Sequence, residues 1–338
     1  TDERGWPWPP SEEQYARVSL ENRYLTYQRY RFFDDRRVAW LALSQYLEAI
    51  IADDRLEGLA LNLIDFRGRP SLIWELRRTL QRVKDSGKEL AIMVGRVDIL
   101  GYYLASVADH LIMDPEGDLV LQGVATGRTY YRDLLERLGL GFQELRYLEY
   151  KSAMETGARM EMSEGEREQD QRMVEVIYGE LRRGVCQARR LSAREFDELV
   201  DDTVGLSAVR AHAAGLIDEV GRGRDLDGFF REQWDTPMGP HPGLAPGAWP
   251  EAQWGERPRI AVVYAVGGAA MESGIKGRAT SYWLRGALRD DRIEAVVLRA
   301  DSPGGDPLPA DLIDAAVADL VRAGKPVIVS QGDVAASA

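Results

Sequence analysis

Apolar residues in this chain fall into short unbroken runs separated by stretches of helical spacing, and that alternation outlines a fold. Ile260 to Ala265 (IAVVYA), Ala295 to Leu298 (AVVL) and Val327 to Ser330 (VIVS) are continuous apolar runs, as expected of strands buried on both faces. A helix is predicted between the first two, around Ser281 to Arg289. Pro309 to Ala323 then places Leu312, Ile313, Ala316, Val317, Leu320 and Val321 at helical spacing, and Gly324-Lys325-Pro326 closes it. Strand, helix and strand in alternation imply right-handed crossovers and a largely parallel sheet. An earlier stretch repeats the pattern as Leu59 to Leu63, Ser71 to Lys84, the turn Gly87-Lys88, and Leu90 to Val94. Leu41 to Ile51, broken by Ser44, Gln45 and Glu48, reads as an amphipathic helix.

The two stretches are in register. Setting Asp53-Asp54-Arg55 on Asp290-Asp291-Arg292 gives an offset of 237. Without a gap, the same offset pairs Leu61 with Leu298, Gly68 with Gly305, Pro70 with Pro307, Gly87-Lys88 with Gly324-Lys325, Gly95 with Gly332, and Val97 with Val334. One such match is chance; the series implies one complete and one incomplete copy of a common unit. Between them, Ser163 to Arg190 is predicted helical, opened by a capping-box pattern of Ser163 and Glu166. The segment 236–258, with six prolines, reads as a linker. The expected organisation is therefore an N-terminal extension (1–37), a first α/β domain (38–235), that linker, and the start of a second domain (259–338). The chain is expected to continue past Ala338.

Composition narrows the function. Of 338 residues 45% are apolar and 29% charged, which is ordinary for a globular protein. The net charge of −12 argues against a phosphate-binding surface, so no nucleic-acid partner is expected. The single cysteine, Cys186, excludes an intrachain disulfide and reads as a small buried hydrophobe. His110, His212 and His241 are scattered, so neither a zinc site nor another metal or cofactor is expected. No apolar stretch reaches the roughly 18–20 residues that cross a bilayer.

Candidate chemistry lies where the two copies differ. The second has Ser302-Pro303-Gly304-Gly305 where the first has Asp65-Phe66-Arg67-Gly68, and Ala336-Ser337 where the first has Ile99-Leu100. Two glycines after a buried strand leave backbone N–H groups uncovered, one way to build an oxyanion hole. Ser337, after a strand and a small-residue turn, is placed for a nucleophile. Each is equally an ordinary turn or an ordinary serine, and the residues alone leave both readings open. A serine nucleophile needs a base. No histidine is suitably placed, and of five lysines Lys88 and Lys325 occupy the repeated turn, Lys84 a polar helix face and Lys276 a glycine-rich loop. Lys151 stands apart, after the segment Leu145 to Tyr150, predicted to be extended, and before the small pair Ser152-Ala153. A lysine base must lose its charge near neutral pH, and burial alone can supply the shift of about 3 units. From spacing alone, a surface role for Lys151 remains open.

Tyr150-Lys151-Ser152-Ala153, followed by Arg159, Met162-Ser163 and Arg167-Glu168, resembles the segment around the catalytic lysine of the S49 family of bacterial Ser/Lys peptidases, in its long, duplicated form. Ala295 to Gly305 (AVVLRADSPGG) resembles that family's strand and glycine turn, and Gly324-Lys325-Pro326-Val327 through Val334-Ala335-Ala336-Ser337 the run leading to its nucleophile. Tyr102 to Ser106 and Gly123 to Tyr131 also match, so the resemblance covers the chain from about Val38. It implies Ser337 as nucleophile, Lys151 as general base, and Gly304, Gly305 and Ala338 around the oxyanion. It also implies tandem crotonase/Clp-like β-β-α spiral domains, the second truncated, with one composite site per chain. The family usually has Gly-Gly after the serine, where this chain has Ala338.

The resemblance further implies a serine endopeptidase that degrades cleaved signal peptides and other extended apolar peptides. Such an enzyme is held at the bacterial inner membrane by an anchor outside this sequence, extracytoplasmic, and assembled as a homo-oligomer, tetrameric in the long form. Substrate would add as a strand beside the segment after Gly305. Two other classes stand beside this reading: a crotonase-like acyl-CoA enzyme and a non-catalytic membrane-associated scaffold of the same fold.

Overall fold

Strands with no polar face need cover on both sides, and that requirement organises this chain. The structure is a computed structural model and describes residues 15–28, 36–203, 205–222, 238–240 and 258–337. The elements begin with β1 (Tyr15–Ser19), β2 (Tyr24–Thr26), β3 (Arg37–Ala39), α1 (Trp40–Ala52), β4 (Gly58–Asn62), β5 (Arg67–Gly68), α2 (Pro70–Asp85) and β6 (Glu89–Val94). Next come β7 (Val97–Asp98), α3 (Ile99–Ala105), β8 (His110–Met113), β9 (Asp118–Val120), α4 (Arg132–Arg137), α5 (Glu155–Ala158), α6 (Glu164–Arg189) and α7 (Ala193–Asp202). After β10 (Leu206–Ser207), α8 (Ala208–Ala213), β11 (Glu219–Val220) and β12 (Met238–Pro240), the last five are β13 (Arg259–Val266), α9 (Gly277–Arg289), β14 (Ile293–Ser302), α10 (Pro307–Arg322) and β15 (Val327–Ala335).

Two compact units divide the chain, and neither is one continuous segment. The first comprises Thr1–Asn22, Asp53–Phe66 and Leu80–His241; the second comprises Arg23–Ala52, Arg67–Thr79 and Pro242–Ala338. In the first unit a six-stranded sheet runs in the order β11-β8-β6-β4-β1-β12, and all its pairs are parallel. Every residue of β4 is buried, and so are five of the six in β6. In the second unit β13, β14 and β15 form a parallel sheet in that order. Leu284 of α9, Val296 of β14, and Ala316 and Leu320 of α10 form the centre of its core. A smaller parallel sheet, β3-β2-β5, belongs to the same unit.

The mixed α/β class and the parallel sheets agree with the strand-helix alternation in the sequence. Four details differ. β13 and β15, expected to be buried on both faces, are largely exposed or half-buried, with Ile260 at 65%, Ile328 at 61% and Val329 at 55%. β1 and β2 lie within the expected 1–37 extension, most of which is outside the described residues, and β12 lies within the expected 236–258 linker, nearly all of which is outside them too. Their apolar runs are too short to stand out, and pairing with neighbours such as β4 is what orders β1. Leu145 to Tyr150 is not a strand: it has no ladder partner among the described residues, and Leu148 turns the chain with φ of +68°. Cys186 is only half buried, with its Sγ 3.6 Å from the Ser192 carbonyl oxygen, and burial pushes its thiol pKa up. Among the described residues no helix is long and apolar enough to cross a membrane.

Local geometry repeats at the spacing of 237. α1 and α9 span positions 237 apart, as do α2 and α10. The register Leu59↔Leu90 through Asn62↔Met93 recurs as Val296↔Val327 through Arg299↔Ser330. Lys88 Nζ donates to the carbonyls of Asp53 and Leu56, both at 2.7 Å. Lys325 Nζ donates to those of Ala287 at 2.8 Å and Asp290 at 2.7 Å. In both places an aspartate takes a fork from the arginine two residues on, Arg55 on Asp53 and Arg292 on Asp290. The Arg292 side chain and N–H draw the Asp290 carboxyl down to about 2. Lys88 and Lys325 therefore serve the fold by satisfying carbonyl oxygens that end a helix or turn.

Charge-assisted bonds to carbonyls contribute about 1.5–3 kcal/mol each, and Lys88 is the more buried of the two. Lys88→Met is expected to lower the unfolding free energy in urea by about 3 kcal/mol, and Lys325→Met by a smaller amount. Wild-type stability in Lys88→Met would contradict this role.

Candidate active site

Ser337 sits just beyond the end of β15, exposed, with φ of +48°. A residue with a side chain holds that left-handed conformation only when its surroundings determine it, and such residues cluster at functional sites. Here the surroundings are the turn after β14. The Ala336 N–H donates to the Ser302 carbonyl at 3.1 Å, and the Gly305 N–H donates to the Ser337 carbonyl at 3.2 Å. Gly304, with φ of +94°, comes so close that a Cβ there would lie 2.1 Å from the Ser337 carbonyl oxygen. Only glycine fits. The turn is braced from the far side by the Ala269 N–H on the Gly304 carbonyl, at 2.7 Å, and the Asp306 N–H on the Ala269 carbonyl, at 2.9 Å. Asp306 then caps α10 through the Leu308 N–H.

The structure thus brings together Ser337, Gly304 and Gly305, which the sequence placed more than thirty residues apart. Ala338 lies outside the described residues. The two glycine N–H groups, expected to be uncovered, are both engaged, Gly304 by the Ser302 hydroxyl at 3.1 Å and Gly305 by the Ser337 carbonyl. The reason is local: the left-handed Ser337 turns its own carbonyl back onto the turn.

Lys151 belongs to the first unit, and Ser337 to the second. The sequence left a surface position for Lys151 open, and its side chain is exposed, as is that of Tyr150, while Ser152 turns inward. Ser152 is buried, and its carbonyl accepts the Glu155 N–H at 3.0 Å. On the other side, the Tyr150 carbonyl accepts from Gln169 at 2.9 Å, and the Tyr150 hydroxyl donates to Glu168 at 2.9 Å. Lys151 is therefore the tip of a loop tied to α6 through Tyr150 on one flank and to the start of α5 through Ser152 on the other. None of the described residues of the first unit strips water from its amine.

A carboxylate that the sequence did not single out anchors that loop. Glu155 is fully buried. It accepts from the Ser163 hydroxyl at 2.7 Å and the Ser163 N–H at 3.3 Å, and it pairs with Arg146 and, at 3.8 Å, with Arg159. Burial alone would push its carboxyl up, but the Ser163 and Arg146 donors outweigh it and hold the carboxyl below the usual range. Ser163 also caps α6 by accepting the Glu166 N–H at 3.2 Å. The anticipated capping box is only half formed, because the buried Glu166 carboxylate faces Tyr130 at 2.5 Å and Arg128 at 2.6 Å instead. Only the position of Glu155, four residues past Lys151, marked it in the sequence. Among the described residues no group of three or more His, Cys, Asp or Glu side chains could hold a metal ion.

Comparison with known proteins gives the same resemblance. The model of "Peptidase family S49" matches residues 82–228, the stretch holding Lys151 and its anchors. Over that stretch the chain is similar to peptidase family S49. "Protease 4" of Salmonella typhi is 30% identical over 308 residues, 84% of this chain and 49% of that protein. "Protease 4" of Haemophilus influenzae is 28% identical over 305 residues, with the same shares. "Serine protease SPPA, chloroplastic" of Arabidopsis thaliana is 26% identical over 320 residues, 88% of this chain and 46% of that protein. The chain thus spans about half the length of the curated relatives it matches.

Because the Glu155 carboxyl is held below the ordinary glutamate value of about 4.3, its stabilisation is complete above that value. It is lost as pH falls through the lowered one. Glu155→Gln is expected to cost about 3 kcal/mol at pH 7 in chemical denaturation, the order found when one partner of a buried pair is removed. The gap to wild type should close at acid pH. A gap independent of pH would show that the carboxylate's charge plays no part.

Proposed function

We propose that this chain carries both members of the Ser/Lys dyad of a serine endopeptidase, with Ser337 as nucleophile and Lys151 as general base. The observation that carries the reading is the left-handed Ser337 pressed onto the glycine turn at the end of a parallel strand. It is the kind of tight, strained turn that presents a nucleophile in other hydrolases. The family resemblance supports it.

In this reading the neutral Lys151 amine takes the Ser337 hydroxyl proton as Oγ attacks a peptide carbonyl. The lysine then returns that proton to the departing amine, leaving an acyl-serine that water hydrolyses with the same lysine as base. The developing oxyanion takes the Gly305 N–H from the Ser337 carbonyl, and the Ala338 N–H is its second donor. An amine exposed as Lys151 is here works as a base once substrate or a neighbouring subunit excludes water. Leu145, Tyr147 and Leu148, between 85% and 93% exposed on the same loop, await such cover.

The proposed substrates are extended apolar peptides, cleaved signal peptides among them. The enzyme works at the bacterial inner membrane on its extracytoplasmic side, held by an anchor and assembled as a homo-oligomer, tetrameric by resemblance. The repeated register, helices and lysine contacts support tandem copies of one crotonase/Clp-like unit. The first copy supplies the base, and the second supplies the serine.

In the full-length protein, Ser337→Ala and Lys151→Ala are each expected to lower kcat/KM for a fluorogenic apolar peptide by at least about a thousandfold. Circular dichroism should stay native. Wild-type turnover by either variant would defeat the dyad. If the wild-type protein proved inert to a serine-directed fluorophosphonate, the scaffold reading would take its place.

A further inference from the structure

β14 and β15 pair in register from Val296↔Val327 to Ala300↔Gln331, and then the pairing slips, so that the next pair is Ser302↔Ala335. One residue of β14, Asp301, therefore faces three of β15, Gly332, Asp333 and Val334. A bulge of this kind bends its strand and re-aims the residues beyond it. Beyond this one lies Ser337.

The bulge is held by side chains from far earlier in the chain, all within the second unit. Asp301 is 3% exposed. Its Oδ2 accepts from the Tyr27 hydroxyl at 2.9 Å and from Arg69 Nη1 at 2.5 Å, and its Oδ1 faces the Val334 N–H at 3.4 Å. Arg69 reaches across to Asp333, Nε to Oδ2, at 3.5 Å, and the other oxygen of Asp333 accepts the Ser71 N–H at 2.7 Å. The arginine thus spans the bulge from one carboxylate to the other. Gly332 leaves it room: a Cβ there would lie 2.5 Å from the Tyr27 hydroxyl and 2.6 Å from Asp301 Oδ2. Arg299 completes the surroundings, stacked 5.1 Å over the Tyr27 ring, donating to its hydroxyl at 3.2 Å and paired with Glu75 at 2.6 Å. At the position 237 residues earlier, the neighbour of Gly95 is Ile64 rather than a carboxylate. The charged clasp accompanies only the strand that leads to a serine.

We propose that Arg69 and Tyr27 are positioning residues for Ser337, clasping Asp301 and the β15 bulge so that the strand delivers the serine to the glycine turn. This rests on Ser337 being the nucleophile. The clasp touches no substrate. It sets where the serine oxygen stands, and a displacement of about an ångström costs on the order of a hundredfold in rate.

The test compares Arg69→Met, Tyr27→Phe and Ser337→Ala with wild type in the full-length protein. Both clasp variants should lower kcat and the rate of fluorophosphonate labelling by about 10- to 100-fold, with KM within about twofold. The melting midpoint should fall more in Arg69→Met, which leaves the buried Asp301 without its charged partner, than in Tyr27→Phe, while kcat falls in both. Amide exchange should speed up at Val334 and Ala336 while the β4–β6 amides stay protected. If Ser337→Ala is inactive but both clasp variants keep wild-type kcat and labelling, the clasp is overturned and the nucleophile stands. If Ser337→Ala retains full activity, the underlying assignment falls. Loss of kcat that only tracks a general fall in melting temperature and protection would make the clasp merely structural and overturn the proposal.

Discussion

A carboxylate without access to water must be surrounded by donors, and it fixes in space whatever carries them. Two such carboxylates shape the two loops of interest in this chain. Glu155 gathers Ser163, Arg146 and Arg159 around the loop that ends in Lys151. Asp301 gathers Tyr27, Arg69 and Val334 around the strand that ends near Ser337. Neither carboxylate is at the tip it supports. The exposed side chains of Lys151 and Ser337 therefore sit on backbones with few alternatives, the arrangement that precise chemistry needs.

The same economy governs the frame. β4 and β6, buried almost throughout, leave no polar face, so the polar work passes to the turns. There Lys88 and Lys325, with their paired aspartates, tie off carbonyls at positions 237 apart. Those contacts also give the physical reason why neither lysine is a candidate base. Each Nζ is already held by two main-chain carbonyls.

Much of the scaffold was legible because local apolar pattern reports secondary structure, although it overstated the burial of β13 and β15. Continuous apolar runs became β4, β6, β13, β14 and β15, and helical spacing became α1, α2, α9 and α10, most of them within two or three residues. Ser337, Gly304 and Gly305 could be nominated together, because the two copies differ at those positions and a family resemblance gave the differences meaning. β1, β2 and β12 were not legible: strands this short are ordered by neighbours rather than by their own pattern. Leu145 to Tyr150 misled for the converse reason, since a stretch rich in apolar residues becomes a strand only when a ladder partner exists.

The sequence by itself determined the α/β class, the parallel pairing, the repeat spacing and the family resemblance, because each follows from local pattern or from residues in fixed order. Only the tertiary structure decided that Ser337 adopts a left-handed turn, that its carbonyl occupies the Gly305 N–H, and that Lys151 stands in water while Ser152 and Glu155 turn inward. It alone joined Tyr27 and Arg69 to Asp301, more than 230 residues away. Hydrogen bonds and close approaches between distant segments leave no periodic trace. Their geometry exists only once the chain has folded and water has been excluded from around them.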